Sequence, residues 1–171
     1  MPMTGFTLVE LMITLVVGAI LMGIAVPSYR TFVQDSRLSS KANALVYSLN
    51  LARNQAVKMD STVEVCASSN GTSCGGAWAD GWIVCYPAAA CATVVQVSPG
   101  VIAGNTVSER LGGALFLNYS SNGQTGTAYQ FVFCDNRGAA FGRDVEVNLI
   151  GHIEASQNAG KQLSGAALAG C

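Results

Sequence analysis

The chain has few charged residues, a single histidine and no catalytic motif. Of its 171 residues only 11% are charged, against roughly 25% in an average globular protein. The net charge of −1 gives no electrostatic reason to expect tight binding to a phosphate backbone. With His152 alone, a hydrolytic triad is hard to build, and nucleotide-binding and metalloprotease motifs are absent. The sequence therefore argues against an enzyme and against a nucleic-acid-binding role.

No metal site and no cofactor are expected either. The six cysteines are separated by 8, 11, 6, 43 and 37 positions, and the C-x2-C pairs of common zinc sites do not occur. An even number of cysteines in a small domain instead indicates an oxidising compartment and a disulfide framework. These cysteines are Cys66, Cys74, Cys85, Cys91, Cys134 and Cys171.

Several disulfide pairings are compatible with this spacing. We favour Cys66–Cys74, which closes a polar loop, and Cys85–Cys91, which closes a tight turn. The third pair, Cys134–Cys171, would hold a tail rich in glycine and alanine. A bridge between Cys66 and Cys85, on neighbouring strands, remains the alternative.

What the sequence does have is a long apolar segment near its start. Residues 6–26 contain one charge, Glu10, and as a helix would span about 32 Å, the thickness of a bilayer core. Pro27 then ends or bends the helix. A secretory signal peptide would have a basic start and a shorter apolar core. A plain anchor does not explain the carboxylate, because a charge within a membrane is costly and requires a partner.

The string G-F-T-L-V-E at residues 5–10 resembles the processing signal of type IV prepilins and type II secretion pseudopilins. The resemblance implies that a prepilin peptidase cuts after Gly5 and that Phe6 is then N-methylated. It also implies that Glu10 faces the terminal amine of a neighbouring subunit during filament assembly. Such a protein sits in the inner membrane with a periplasmic head until an assembly platform moves it into the filament.

The leader at residues 1–5 lacks the lysine or arginine usual in prepilins, so we expect the natural start to lie upstream. The basic residues nearest the helix follow it, and by the positive-inside rule they would place the C-terminus in the cytoplasm. The cysteines indicate the opposite orientation, with the head outside the cytoplasm.

The next segment, residues 28–59, has the periodicity of an amphipathic helix. Apolar residues recur at steps of three and four from Leu38 to Val57. We predict one helix over residues 6–59, bent near Pro27, with a break at residues 34–40 as the alternative. Strands are predicted at residues 62–67, 82–86, 92–98, 114–119, 128–134, 143–150 and 152–156.

The head also resembles one branch of the pilin family. The tryptophan-containing stretch at residues 66–84 and the C-D-N-R-G stretch at residues 134–147 resemble minor pilins of the FimT/FimU group, which share a head with the pseudopilin GspH. This implies an α+β pilin fold, with a long N-terminal helix on a mainly antiparallel sheet or sandwich. The implied parts are a leader (1–5), a membrane and assembly helix (6–27), an amphipathic half (28–59) and a GspH-like head (60–171).

The functional prediction is a minor pilin that primes or caps pilus assembly with other minor pilins and the major pilin. A type II secretion pseudopilin is the first alternative. The second is a DNA receptor at the pilus tip, for which FimT-like proteins have a basic element near residues 151–154. Here His152 and Glu154 replace its arginines, and only Arg137, Arg143 and Lys161 remain as a weak candidate patch.

Two local predictions concern the head. Asp135 and Arg137 are expected to hold a turn rather than to face a partner. Of the two tryptophans that flank a glycine turn, we expect one to be buried and the other to be partly exposed.

Overall fold

The structure is a computed structural model that describes residues 5, 7–86, 88, 91–101, 104–168 and 170–171. The chain divides into two compact units, with the boundary between Ser36 and Arg37. A single α-helix, α1, runs from Leu8 to Met59 and contributes to both units. The predicted long helix is therefore present, and the alternative of a break at residues 34–40 is wrong.

The second unit contains eight strands in two antiparallel sheets. The first sheet has the order β3-β2-β1-β5 and the second has the order β4-β6-β7-β8. The strands are β1 (Val63–Ala67), β2 (Gly81–Tyr86), β3 (Thr93–Pro99), β4 (Thr106–Glu109), β5 (Phe116–Tyr119), β6 (Tyr129–Cys134), β7 (Arg143–Val147) and β8 (Ile153–Ala155). Short 3-10 turns lie at Trp78–Asp80 and Ala139–Phe141.

One apolar stripe on α1 packs against both sheets. Its members recur at steps of four and three, so they lie on one face of the helix, and all are buried. The stripe shares one core with side chains from both sheets. Its members are Leu38, Ala42, Leu45, Leu49, Ala52 and Ala56.

The central strands are covered on both faces. Every residue of β1 is buried, although side chains along a strand alternate between the two faces. One face contacts α1. On the other face of the first sheet, a separate apolar cluster contains Cys66, Ile83 and Cys85. On the second sheet, Val132 and Cys134 pack against Leu168 of the tail. Loops and tail therefore complete the burial that α1 begins.

The strand predictions need two corrections. Strand β4 was not predicted. The strand expected at residues 143–150 ends at Val147, because Asn148 starts a turn in which its carbonyl accepts the N–H of Gly151 at 2.9 Å. The side-chain oxygen of Asn148 also accepts the N–H of His152 at 2.9 Å. This turn directs the chain back into β8.

Candidate functional site

The first half of α1 exposes an apolar surface in the isolated chain. Its large apolar side chains, from Leu8 to Val26, are between 49% and 73% exposed. Helix α1 contains a stretch that is long and apolar enough to cross a membrane, judged by length and composition. Because water would be a poor environment for this surface, it requires either lipid or other apolar helices.

Glu10 lies in the first turn of this helix and is exposed. Its backbone N–H donates to Thr7 Oγ1 at 3.3 Å, so a side chain caps the start of the helix. A carboxylate there interacts favourably with the positive end of the helix dipole. Gly5, the predicted cleavage position, is exposed, and Phe6, the predicted methylation position, lies outside the described residues.

Arg137, one of the three candidate patch cations, is engaged within the head. Its backbone N–H and its guanidinium both donate to the Asp135 carboxylate, with Nη2 at 2.7 Å from Oδ2. The guanidinium also lies 4.4 Å from the centre of the Phe141 ring. Burial raises the pKa of Asp135, but hydrogen bonds from Arg137 outweigh this effect and hold the pKa below its usual value. The predicted turn-holding role is what this geometry shows.

The other two candidate cations have different neighbours. Arg143 Nη1 donates to the carbonyl of Gln157 at 3.1 Å, which ties β7 to the segment after β8. Lys161 pairs through its backbone with Ala167, within the tail, and lines a surface cavity together with Glu154. The three cations thus belong to a turn, a strand and the tail.

The side chains of His152 and Glu154 pair with each other. His152 Nε2 lies 2.9 Å from Glu154 Oε1, and both side chains are about half exposed, at 54% each. A carboxylate at this position would repel a phosphate. The imidazole–carboxylate pair at His152 and Glu154 carries no net positive charge.

Two buried carboxyl groups that the sequence did not single out organise the second sheet. Glu109, at the end of β4, accepts backbone N–H groups from Leu111, Gly112, Ala114 and Gln130 at 2.9 to 3.2 Å. Burial acts to raise its pKa, but these four hydrogen bonds prevail and lower it. The carboxylate therefore fixes the β4–β5 connection.

Asp144 on β7 is fully buried beneath the tail. Burial, and then a hydrogen bond with Glu146, raise the pKa of Asp144 to about 6. Gln130 Nε2 donates to its Oδ2 at 3.2 Å and partly offsets this rise. Asp144 is therefore largely ionised at neutral pH, and its ionisation there destabilises the folded head relative to the unfolded chain.

The disulfides pair as the sequence favours, and each closes a local segment. Cys66–Cys74 and Cys85–Cys91 lie over the outer face of the first sheet, and Cys134–Cys171 ties the tail to β6. The alternative bridge between Cys66 and Cys85 is not the one present.

The tryptophan prediction was wrong for one residue, because both side chains are buried. Trp78 is 3% exposed, donates to the carbonyl of Ala114 at 2.8 Å and meets the ring of Phe131 edge-on. Trp82 is 1% exposed and donates to Ser48 on α1. Both rings are structural rather than available as a binding platform.

The sequence and fold match known proteins over most of the chain. Residues 41–151 match the family model described as Type II transport protein GspH, and residues 3–26 match the prokaryotic N-terminal methylation motif. No curated protein sequence matches the chain significantly.

Among solved structures, the chain is similar to the type IV minor pilin FimU of Pseudomonas aeruginosa (strain PAO1). One crystal form superposes with a TM-score of 0.60 at 23% identity, over 74% of this chain and 98% of that chain. A second crystal form gives 0.59 at 22% identity, over 70% and 92%. At these identities the likeness establishes a shared fold.

The methylation motif falls on the exposed apolar half of α1, and the GspH match covers more than half of the chain, including the first sheet and strands β4, β6 and β7 of the second. The chain belongs to the Type II transport protein GspH family and is a membrane-anchored, pilin-like protein.

Proposed function

We propose that this protein is a minor pilin, a non-enzymatic subunit that primes or caps assembly of a type IV pilus. The observation that carries the proposal is the first half of α1, whose apolar side chains are exposed all round and whose single acid is Glu10. In the membrane, lipid covers this surface. In a filament, the corresponding helices of other minor pilins and of the major pilin cover it.

In this arrangement residues 1–5 are a leader removed by prepilin peptidase, and residues 6–27 anchor the protein in the inner membrane. Residues 28–59 connect the anchor to the head at residues 60–171, which lies in the periplasm. The inner-membrane assembly platform extracts the anchor into the filament. A periplasmic head is consistent with three disulfides, because an oxidising compartment is where such bonds persist.

Glu10 has a specific task in this proposal. After cleavage behind Gly5, the new terminal amine of Phe6 is a second charge in an apolar environment. A buried carboxylate and a buried ammonium each cost several kcal/mol alone, and pairing offsets much of that cost. Glu10 of one subunit therefore sets the register of the neighbouring subunit by pairing with its amine.

The test replaces Glu10 with alanine and follows processing and assembly separately. Glu10→Ala should still be cut after Gly5, as the mass of the mature N-terminus shows, but it should be depleted from sheared filaments. Thr14→Ala is the matched control, because Thr14 donates to the carbonyl of Leu11 in its own helix at 2.8 Å. Normal incorporation of Glu10→Ala into filaments would rule out this role.

The processing step has its own readout. Mass spectrometry of protein recovered from filaments should show a chain that begins at Phe6 and carries one added methyl group. A filament form that retains the residues before Phe6 would refute both the cleavage site and the methylation.

A type II secretion pseudopilin is the second candidate, favoured by the description of the matching family. Both candidates share processing and fold, so the filament in which the protein occurs separates them. Recovery of the protein in sheared surface pili supports the pilus role. Loss of protein secretion with intact pili, on deletion of the gene, supports the secretion role.

DNA capture is not part of the proposal, because Arg137 is paired with Asp135 and Glu154 accompanies His152 at the relevant turn. A gel-shift titration of the full chain in detergent at low salt tests this. Micromolar binding with steep salt dependence would contradict it.

A further inference from the structure

Two of the disulfides meet at one point on the outer face of the first sheet. One ligand atom from each of Glu64, Cys66, Cys74, Cys85 and Cys91 lies within 4.8 Å of every other. Cys74 Sγ is 3.4 Å from Cys91 Sγ and 3.0 Å from Glu64 Oε1. The four sulfurs therefore form one cluster, which we call the four-sulfur cluster, rather than two separate crosslinks.

The strands hold two of the sulfurs in place independently of the disulfide bonds. In the antiparallel register of β1 and β2, Cys66 is opposite Ile83 and Glu64 is opposite Cys85. Residues two apart on a strand share a face, so Glu64, Cys66 and Cys85 all point to the outer face. Both cysteines are fully buried there. The sheet alone thus brings these two sulfurs together.

Hydrogen bonds hold the third sulfur. The loop that carries Cys74 is tied to the end of β1, where the N–H of Gly75 donates to the carbonyl of Ala67 at 2.8 Å. Within the loop, Ser68 Oγ donates to the carbonyl of Ser73 at 2.7 Å, and Asn70 Oδ1 accepts the Ser73 N–H at 3.0 Å. These bonds do not depend on the disulfide, so opening it leaves Cys74 above the sheet.

The fourth sulfur lies next to a paired strand. Cys91 comes two residues before β3, whose first residue, Thr93, pairs with Tyr86 on β2. Val94, the next residue of β3, is opposite Cys85 and packs in the same outer cluster as Cys91. The β2–β3 pairing therefore limits how far Cys91 can move when its disulfide is open.

We propose that the thiol form of the head, the state before these two disulfides close, binds one thiophilic divalent cation of the zinc class in the four-sulfur cluster. Four thiolates in a tetrahedron are one of the common structural zinc sites, and their Zn–S distance of about 2.3 Å places the sulfurs about 3.8 Å apart. Each disulfide holds its own two sulfurs closer than this, so they move apart when the bond opens, from positions in which all of the ligand atoms lie within 4.8 Å of one another.

The chemistry of binding involves no electron transfer. Four thiols release four protons, and four metal–sulfur bonds form. A disulfide-forming oxidant then removes four electrons from the four thiolates, two bonds between sulfurs form, and the cation leaves. Metal binding and disulfide closure therefore compete for the same sulfurs.

Sequence spacing did not reveal this site, and the expectation of no metal site came from the absence of C-x2-C pairs. Here the cluster draws two ligands from adjacent strands and two from loops. Glu64 stays outside the metal–sulfur bonds in this proposal, although its Oε1 lies 3.0 Å from the Cys74 sulfur.

The experiment titrates the full chain, in detergent micelles and reduced with a phosphine under nitrogen, with Co²⁺ and then with Zn²⁺. We expect one Co²⁺ per chain, with the intense visible absorption of tetrahedral cobalt thiolate, and displacement by Zn²⁺. Hydrogen exchange should show that residues 63–86 are protected before metal is added and are more protected afterwards. Absence of the tetrahedral absorption from a chain with protected β1 and β2 would overturn the proposal.

Matched double variants assign the ligands. Cys134→Ser/Cys171→Ser removes two thiols outside the cluster and should bind as the parent does. Cys74→Ser/Cys91→Ser removes two of the four ligands and should weaken metal binding relative to the parent chain. The loss of affinity should exceed the ~10–100-fold that follows removal of a residue that only hydrogen-bonds a ligand. Glu64→Gln should keep the four-sulfur spectrum. Binding that survives loss of Cys74 and Cys91, or that fails without Cys134 and Cys171, would contradict the assignment.

Discussion

The hydrogen bond between Trp82 and Ser48 gives a sharp test of how α1 is attached to the first sheet. Trp82 Nε1 donates to Ser48 Oγ at 2.9 Å, and both residues are buried. In Ser48→Ala the indole N–H loses its partner, which costs about 1–3 kcal/mol. Alanine is a better helix former than serine, by about 0.5 kcal/mol. The variant should therefore be destabilised by about 0.5–2.5 kcal/mol.

A double-mutant cycle separates the bond from packing. Trp82→Phe removes the donor but also loses buried ring volume. With both substitutions no polar group is left unpaired, so the combined loss should be smaller than the sum by about 1 kcal/mol. Ser40→Ala is the control, because Ser40 is exposed on the same helix and only the helix propensity changes there.

The assay is urea unfolding of the full chain in detergent, monitored through the fluorescence of Trp78, which every variant retains. The ring of Trp78 is buried against Phe131, so its emission reports unfolding of the head. If Ser48→Ala were as stable as Ser40→Ala, or if the two losses were additive, the bond would not contribute as reasoned here.

Three further predictions use the same unfolding assay. Cys134→Ser/Cys171→Ser opens a crosslink of separation 37 and should lose about 4 kcal/mol. Glu109→Gln should lose about 2 kcal/mol at neutral pH. Because the folded pKa of Glu109 is lowered, wild-type stability from this group exists above its ordinary pKa of 4.5 and is lost as pH falls through the folded value. Asp144→Asn should be more stable than wild type above pH 6, because the raised pKa of about 6 makes ionisation costly, and the gain should vanish toward pH 3.8.

Each of these has a clear contrary outcome. A double serine variant as stable as wild type would mean that the tail is held without its crosslink. A Glu109→Gln variant with an unchanged acid limb would exclude the four backbone hydrogen bonds as the cause. An Asp144→Asn variant whose difference from wild type does not change with pH would exclude ionisation of that carboxyl as the cost.

The long helix and seven of the eight strands could be read from local patterns. The apolar run and the three-four spacing from Leu38 to Ala56 depend only on neighbours in sequence. Strand β4 was not predicted because Val107 is its single large apolar residue, so its sequence has no alternating apolar pattern. Its strand conformation depends on pairing with β6, more than twenty positions further along the chain.

The features of the head that the sequence did not predict are those that depend on how strands pair and pack in the folded chain. Cys66 and Cys85 share a face only because Glu64 is opposite Cys85, and a shift by one residue would separate them. Similarly, Trp78 is buried because Phe131, on the other sheet, meets its ring. Neither the shared face of the two cysteines nor the contact between the two rings can be predicted from spacing in the sequence. The processing signal, by contrast, is contiguous and needs no folding to be read.

The placement of the disulfides has a mechanical consequence. Each closes its own segment, with separations of 8, 6 and 37, and each joins residues that lie outside α1. A pull on the N-terminal end of α1 is therefore resisted at the head by side-chain packing and hydrogen bonds, with no covalent crosslink between the helix and the sheets. Once that packing is lost, the residues between the two cysteines of each disulfide still cannot be stretched out. The resistance of the head to such a pull therefore depends on packing of the stripe from Leu38 to Ala56, and the three disulfides shorten the length of chain that can be drawn out afterwards.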